Sequence, residues 1–150
     1  MSRSKIALAI ELKKGDSGQY TIYDLADRAL AEVERAGCLE QVVFSSFDRT
    51  GIERIVERNS RVPVAYIVNK PWSSPLELTG KYPIPILSCH QTILTKDNLT
   101  KAHQAGLKVN VWTVDTEPEI EQFLDFGVNG IITNHPDRAI SVLKKRQTPK

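Results

Sequence analysis

Residues 109–137 set tighter limits on the fold than any other segment, because they read as strand, capped helix and strand in direct succession. Val109, Val111 and Thr113 alternate with Asn110, Trp112 and Val114, a short β-rich run. Thr116, Glu117, Pro118 and Glu119 then supply a capping hydroxyl, an early proline and a carboxylate three residues on, which together start a helix. Ile120, Phe123 and Leu124 form an apolar stripe, Gly127 stands where a glycine ends a helix, and residues 128–133 return to β character. Such a unit closes only by laying its helix across two parallel strands. In sheets of that kind ligands bind beyond the carboxyl ends of the strands, so the strand tips are where a site is sought.

The same grammar runs through the rest of the chain. Six strands are expected, at residues 6–12, 42–47, 62–68, 84–89, 109–114 and 130–133. Leu25, Ala26, Ala29, Leu30 and Val33 recur at helical spacing and stop at Gly37; Ile52, Ile55 and Val56 do the same after the second strand. Leu94, Leu99, Ala102 and Ala105 precede Gly106, and Ala139, Ile140 and Leu143 make a short last helix. Residues 69–82, with Pro71, Pro75 and Gly80, read as a loop with one helical turn. Near-continuous apolar strands separated by helices imply a parallel sheet buried on both faces, hence the α/β class, and 150 residues without a linker suggest one domain. The net charge of +2 is too small to argue for nucleic acid. Lys144, Lys145, Arg146 and Lys150 read as a solvated end rather than a binding arm. Cys38 and Cys89 lack zinc or redox spacing, so two reduced, half-buried thiols in a cytoplasmic chain are expected, with no membrane span and no signal peptide.

The strand tips collect Glu11, Lys13, Ser46, Phe47, Asp48, Asn69, Lys70, His90, Trp112, Asp115, Asn134 and His135. Glu11 and Lys13 flank Leu12, so they share one side of their strand. A carboxylate there suits a hard divalent cation, and an ammonium two residues on suits a phosphate oxygen. A strand that simply ends in water is the plainer reading of the same two residues. Trp112 could floor a pocket or fill a core; His90 could serve as an acid–base group or as a hydrogen-bonded loop residue. His103 reads as a solvated helix residue and His135 as part of a turn before Pro136. No glycine-rich phosphate loop is present: Gly15 to Gly18 lacks the lysine and the spacing of one.

Four blocks in this order resemble the C-terminal part of the glycerophosphodiester phosphodiesterase family. They are Ile10-Glu11-Leu12-Lys13, the run from Val42 to Asp48 ending Ser45-Ser46-Phe47-Asp48, Val111-Trp112-Thr113-Val114-Asp115, and the run from Gly127 to Asp137. The resemblance implies a (β/α)8 barrel of which the six strands here are the last six, that is, an incomplete TIM-type (β/α) barrel with flanking helices. It implies that Glu11 is a metal ligand, that Lys13 contacts phosphate, and that Phe47 and Trp112 line the substrate pocket. The reaction implied is metal-dependent hydrolysis of a glycerophosphodiester to glycerol 3-phosphate and an alcohol, with lysophospholipid-like molecules as a further candidate substrate class. The family's His-Arg-Gly block, Glu-x-Asp metal pair and second histidine have no counterpart here, and Asn129 and Asn134 stand where the family commonly has Asp.

Those departures shape the expectation for activity. With Glu11 alone, a magnesium or calcium ion would stay mostly water-bound unless the site is completed from elsewhere. An absent positioned acid–base group costs about 100- to 10,000-fold in rate. The chain is therefore expected to be a weakly active or inactive piece of a phosphodiester hydrolase, the product of truncation or divergent splicing; the alternative is a non-catalytic binding or partner module on the same scaffold. Strands 6–12 and 130–133 would face a gap, so a homodimer or a missing N-terminal partner is expected to cover it.

Overall fold

The computed structural model describes residues 7–15, 18–78 and 80–147, with the Leu76 side chain left aside. Among these the order is β1 (Leu8–Glu11), α1 (Ile22–Arg35), β2 (Val42–Ser46), α2 (Arg49–Arg58), β3 (Val64–Val68), β4 (Ile86–His90), α3 (Lys96–Gln104), β5 (Lys108–Trp112), α4 (Glu117–Phe126), β6 (Gly130–Ile131) and α5 (Pro136–Gln147). The six strands follow sheet order β1-β2-β3-β4-β5-β6, and the pairs β1–β2, β2–β3 and β5–β6 are parallel. Every expected strand is present, most of them shortened to four or five residues, and β6 to two. Ile6, expected in the first strand, lies outside the described residues. The single turn expected within residues 69–82 is a 3₁₀ turn at Pro75–Leu78, and a second one, Leu39–Gln41, leads into β2.

Contacts divide the chain into two compact units, Met1–Ile67 with Thr79–Ile86, and Val68–Leu78 with Leu87–Lys150. In the first, Ile22, Ala26, Leu30 and Val33 form the buried stripe of α1, four residues that a period of 3.6 puts on one face. That stripe joins Leu12, Val42, Phe44, Ile52, Ile55, Val62, Val64 and Ile84 in one core. Fully burying a side chain such as Phe44 or Ile52 stabilises by about 1.5–3 kcal/mol relative to leaving it in water. Thr21 and Asp24 cap α1 reciprocally, the hydroxyl accepting from the Asp24 N–H and the carboxylate from the Thr21 N–H. Gly51 lets α2 approach α1: a Cβ there would come within 2.6 Å of Ile22.

The second unit buries Leu87, Cys89, Leu99, Ala102, Val109, Val111, Val114, Ile120, Phe123 and Val142. Its α4 starts as the sequence dictates, with Thr116 and Glu119 bonded to each other and Pro118 in the first turn, and ends at Gly127 with φ +89°. One expectation needs correcting and another needs extending. Cys89 is fully buried rather than half-buried, and burial pushes its thiol up to about 11. The basic C-terminal residues Lys144, Lys145 and Arg146 are exposed, as expected, but they belong to α5, which runs to Gln147, and Lys145 and Arg146 also reach across to Glu117, Glu121 and Asp125 on α4. Carboxylates spaced by four along α4 meet cations on a neighbouring helix, a pairing that local sequence cannot display.

Candidate active site

In the first unit, β1 and β2 run side by side with Ile10 opposite Phe44 and Glu11 opposite Ser45. Ile10, Leu12 and Phe44 belong to the core, so alternation turns Glu11 and Ser45 to the other face. The tip of β1 is then tied down through Leu12. Its N–H donates to the Ser45 carbonyl at 2.7 Å, and its own carbonyl accepts from the buried Ser46 hydroxyl at 2.6 Å. The Ser46 oxygen in turn accepts from the Asp48 N–H at 3.0 Å. With Leu12 fixed at backbone and side chain, Glu11 and Lys13 on either side of it are both exposed. Phe47, like Lys13, lies two residues past the Glu11–Ser45 pair, and it is 41% exposed. Glu11, Lys13 and Phe47 therefore lie at one strand end. Asp48 is committed to local structure: its carboxylate caps α2, accepting from the Thr50 N–H at 2.9 Å and the Thr50 hydroxyl at 2.6 Å.

Trp112 belongs to the second unit, at the carboxyl end of β5. Its indole N–H donates to the Ser88 carbonyl at 2.9 Å, and its ring stands perpendicular to that of His90, with centroids 4.7 Å apart. Gln91 clamps the tips of β4 and β5, its backbone N–H on the Trp112 carbonyl at 2.8 Å and its side-chain amide on the Thr113 carbonyl at 2.7 Å. Trp112 is half-buried, with its indole N–H and its ring both held, rather than a fully buried core residue. His90 is a ring fixed by Thr92, whose hydroxyl lies 2.8 Å from Nδ1.

The tips of β5 and β6 are joined by Asp115. Its carboxylate accepts from the Thr133 hydroxyl at 3.0 Å, the Asn134 N–H at 2.8 Å and the Asn134 amide at 2.9 Å, and its carbonyl accepts from Arg138. The Asn134 amide, ahead of the other donors, holds the Asp115 carboxyl below the usual carboxylate range. Asn129 works at the opposite end of the same strands: its side-chain oxygen accepts from the Val109 N–H at 2.7 Å and lies 3.0 Å from His103 Nε2. His103 is an exposed helix residue, as expected, and is also a partner of that brace. Sequence reasoning missed the roles of Ser46, which ties down Leu12, and of Thr92, which fixes the His90 ring. For Thr92 the available signal was a small hydroxyl residue two positions after His90; for Ser46, 34 residues from Leu12, there was none.

The model of the glycerophosphoryl diester phosphodiesterase family matches residues 5–138. The chain belongs to that family. A glycerophosphodiester phosphodiesterase of Bacillus altitudinis is 25% identical over 144 residues, covering 93% of this chain and 57% of the relative. A solved glycerophosphoryl diester phosphodiesterase of Silicibacter pomeroyi superposes with a TM-score of 0.84 at 23% identity, covering 93% of this chain and 50% of its own. An Oleispira antarctica phosphodiesterase, solved in complex with the product sn-glycerol-3-phosphate, superposes with a TM-score of 0.77 at 20% identity over 92% of this chain and 55% of its own. The fold of this family member is accordingly a stretch of TIM-type (β/α) barrel, six parallel strands with flanking helices. The chain spans about half the length of these relatives. No helix among the described residues is long and apolar enough to cross a membrane.

Proposed function

We propose that this chain carries the phosphate-facing strand tips of a glycerophosphodiester hydrolase, whose reaction yields glycerol 3-phosphate and an alcohol. The observation that supports it is Glu11 and Lys13, exposed on either side of the pinned Leu12, at a strand end in a member of this family. Lys13 would place its ammonium on a non-bridging phosphate oxygen, where negative charge grows as the alcohol departs. Phe47, at the same strand end as Lys13, would help to keep water from the reacting phosphate. The product named with the Oleispira neighbour supports glycerol 3-phosphate as the small molecule recognised. Glu11 is the metal ligand implied by the family, yet among the described residues no group of three or more His, Cys, Asp or Glu side chains could hold an ion. A hard divalent cation takes six or more oxygens, so these residues do not fit a metal centre by themselves. Magnesium or calcium would be held only where further carboxylates complete the set, supplied by an N-terminal partner or another part of the same protein. Two free thiols fit a reducing, cytoplasmic setting.

The test is release of glycerol 3-phosphate from glycerophosphocholine with magnesium or calcium added. The expected turnover lies well below about 1 per second, with glycerol 3-phosphate still bound. Turnover of about 1–1,000 per second, the range of ordinary enzymes, would contradict the single-carboxylate site. Failure to bind glycerol 3-phosphate at all would remove the reading.

A further inference from the structure

His90 closes β4 at its carboxyl end, and its Nδ1 is already engaged: the Thr92 hydroxyl lies at 2.8 Å and the Thr92 N–H donates to it at 3.3 Å. A ring nitrogen that accepts an N–H carries no proton, so in the neutral ring the proton sits on Nε2. No described residue takes up that donor, whereas Nε2 of His103 already lies against Asn129. The ring is held on a second side by Trp112, itself pinned to Ser88. The tip of β4 and β5 thus presents a preformed surface of an aromatic wall beside an N–H donor, which suits a ligand with a short carbon chain and anionic or hydroxyl oxygens.

We propose that His90 is a substrate-contact residue that donates its Nε2 proton to an oxygen of a glycerol phosphate, an inference that deepens the function proposed above and rests on it. The group behind Nδ1 is the Thr92 hydroxyl, which fixes the ring's orientation, so the role is contact and orientation of the ligand.

The experiment is nitrogen-detected NMR of the histidine rings in the full chain during titration with sn-glycerol 3-phosphate, paired with affinity measurements on His90→Phe. Phenylalanine keeps a ring beside Trp112 but has no N–H. The free protein should show the Nε2–H tautomer, the His90 Nε2 resonance should move saturably with ligand, and H90F should bind about tenfold more weakly, as expected for one lost hydrogen bond to a charged group. Saturable shifts elsewhere with His90 unmoved would overturn this inference and leave the function standing. No saturable shift anywhere would overturn both. If H90F fails to fold, the resonance of the wild-type ring decides.

Discussion

At the tips of β5 and β6, Asn134 and Asp115 form an acid–amide pair, with the amide donating to the carboxylate at 2.9 Å. One partner must bring hydrogens. Asn134→Asp would put two carboxylates at that distance and should lower the melting temperature at pH 7 by several degrees. Adding Asp115→Asn restores one acid and one amide, so the double variant should regain most of the loss; a double variant worse than either single one would refute the pairing. The pH dependence has a fixed sign. Because the folded Asp115 carboxyl lies low, its contribution is fully present above the ordinary aspartate range and is lost as pH falls through the depressed folded value. The melting-temperature gap between wild type and Asp115→Asn should therefore shrink below about pH 4. Legibility at this scale was uneven. Glu11 and Lys13 could be read because alternation about a buried Leu12 is a local pattern. Ser46 and Thr92 could not, since their partners are a carbonyl 34 residues away and a ring whose orientation only the fold decides. Asn134 looked like a weakened signature until its partner 19 residues back was seen.

Elements were the most legible scale, because their signals lie within a few residues. The α4 start is the clearest case: the Thr116 hydroxyl donates to the Glu119 carboxylate at 2.6 Å and accepts from the Glu119 N–H at 3.4 Å. Thr116→Ala should destabilise the chain by about 1 kcal/mol in a denaturant titration, while Thr116→Ser should cost little. An alanine variant indistinguishable from wild type would mean that the cap contributes nothing. The ends of elements were less legible. The stretch expected as strand at 130–133 narrows to Gly130–Ile131, because Thr133 turns its hydroxyl to Asp115 and the chain bends toward α5. The last helix outruns its apolar triplet for a different reason: ion pairs to α4 carry it through Lys145 and Arg146 to Gln147. Exposed pairs of this kind are worth about 0–1 kcal/mol each, so they set the helix's length more than its existence.

On the scale of the molecule, β1 and β6 stand at the two ends of the strand order, and Leu8 and Ile132 beside them are 47% and 46% exposed. Edge strands that show apolar side chains are open to pairing with a further strand. The α/β class was legible because periods of 2 and 3.6 alternate along the whole chain; the barrel type was not, since sheet closure is invisible to local pattern and came only with the four family blocks. The chemistry is thinner than the fold: the exposed carboxylate of Glu11 and, two residues on, the exposed ammonium of Lys13 at the tip of β1. Calorimetric titration of the full chain with sn-glycerol 3-phosphate, wild type against Lys13→Ala, weighs that tip alone. Saturable binding by wild type, weakened at least about tenfold in the variant through loss of a charge-assisted contact, is the predicted result. Equal affinity in the two proteins would contradict it.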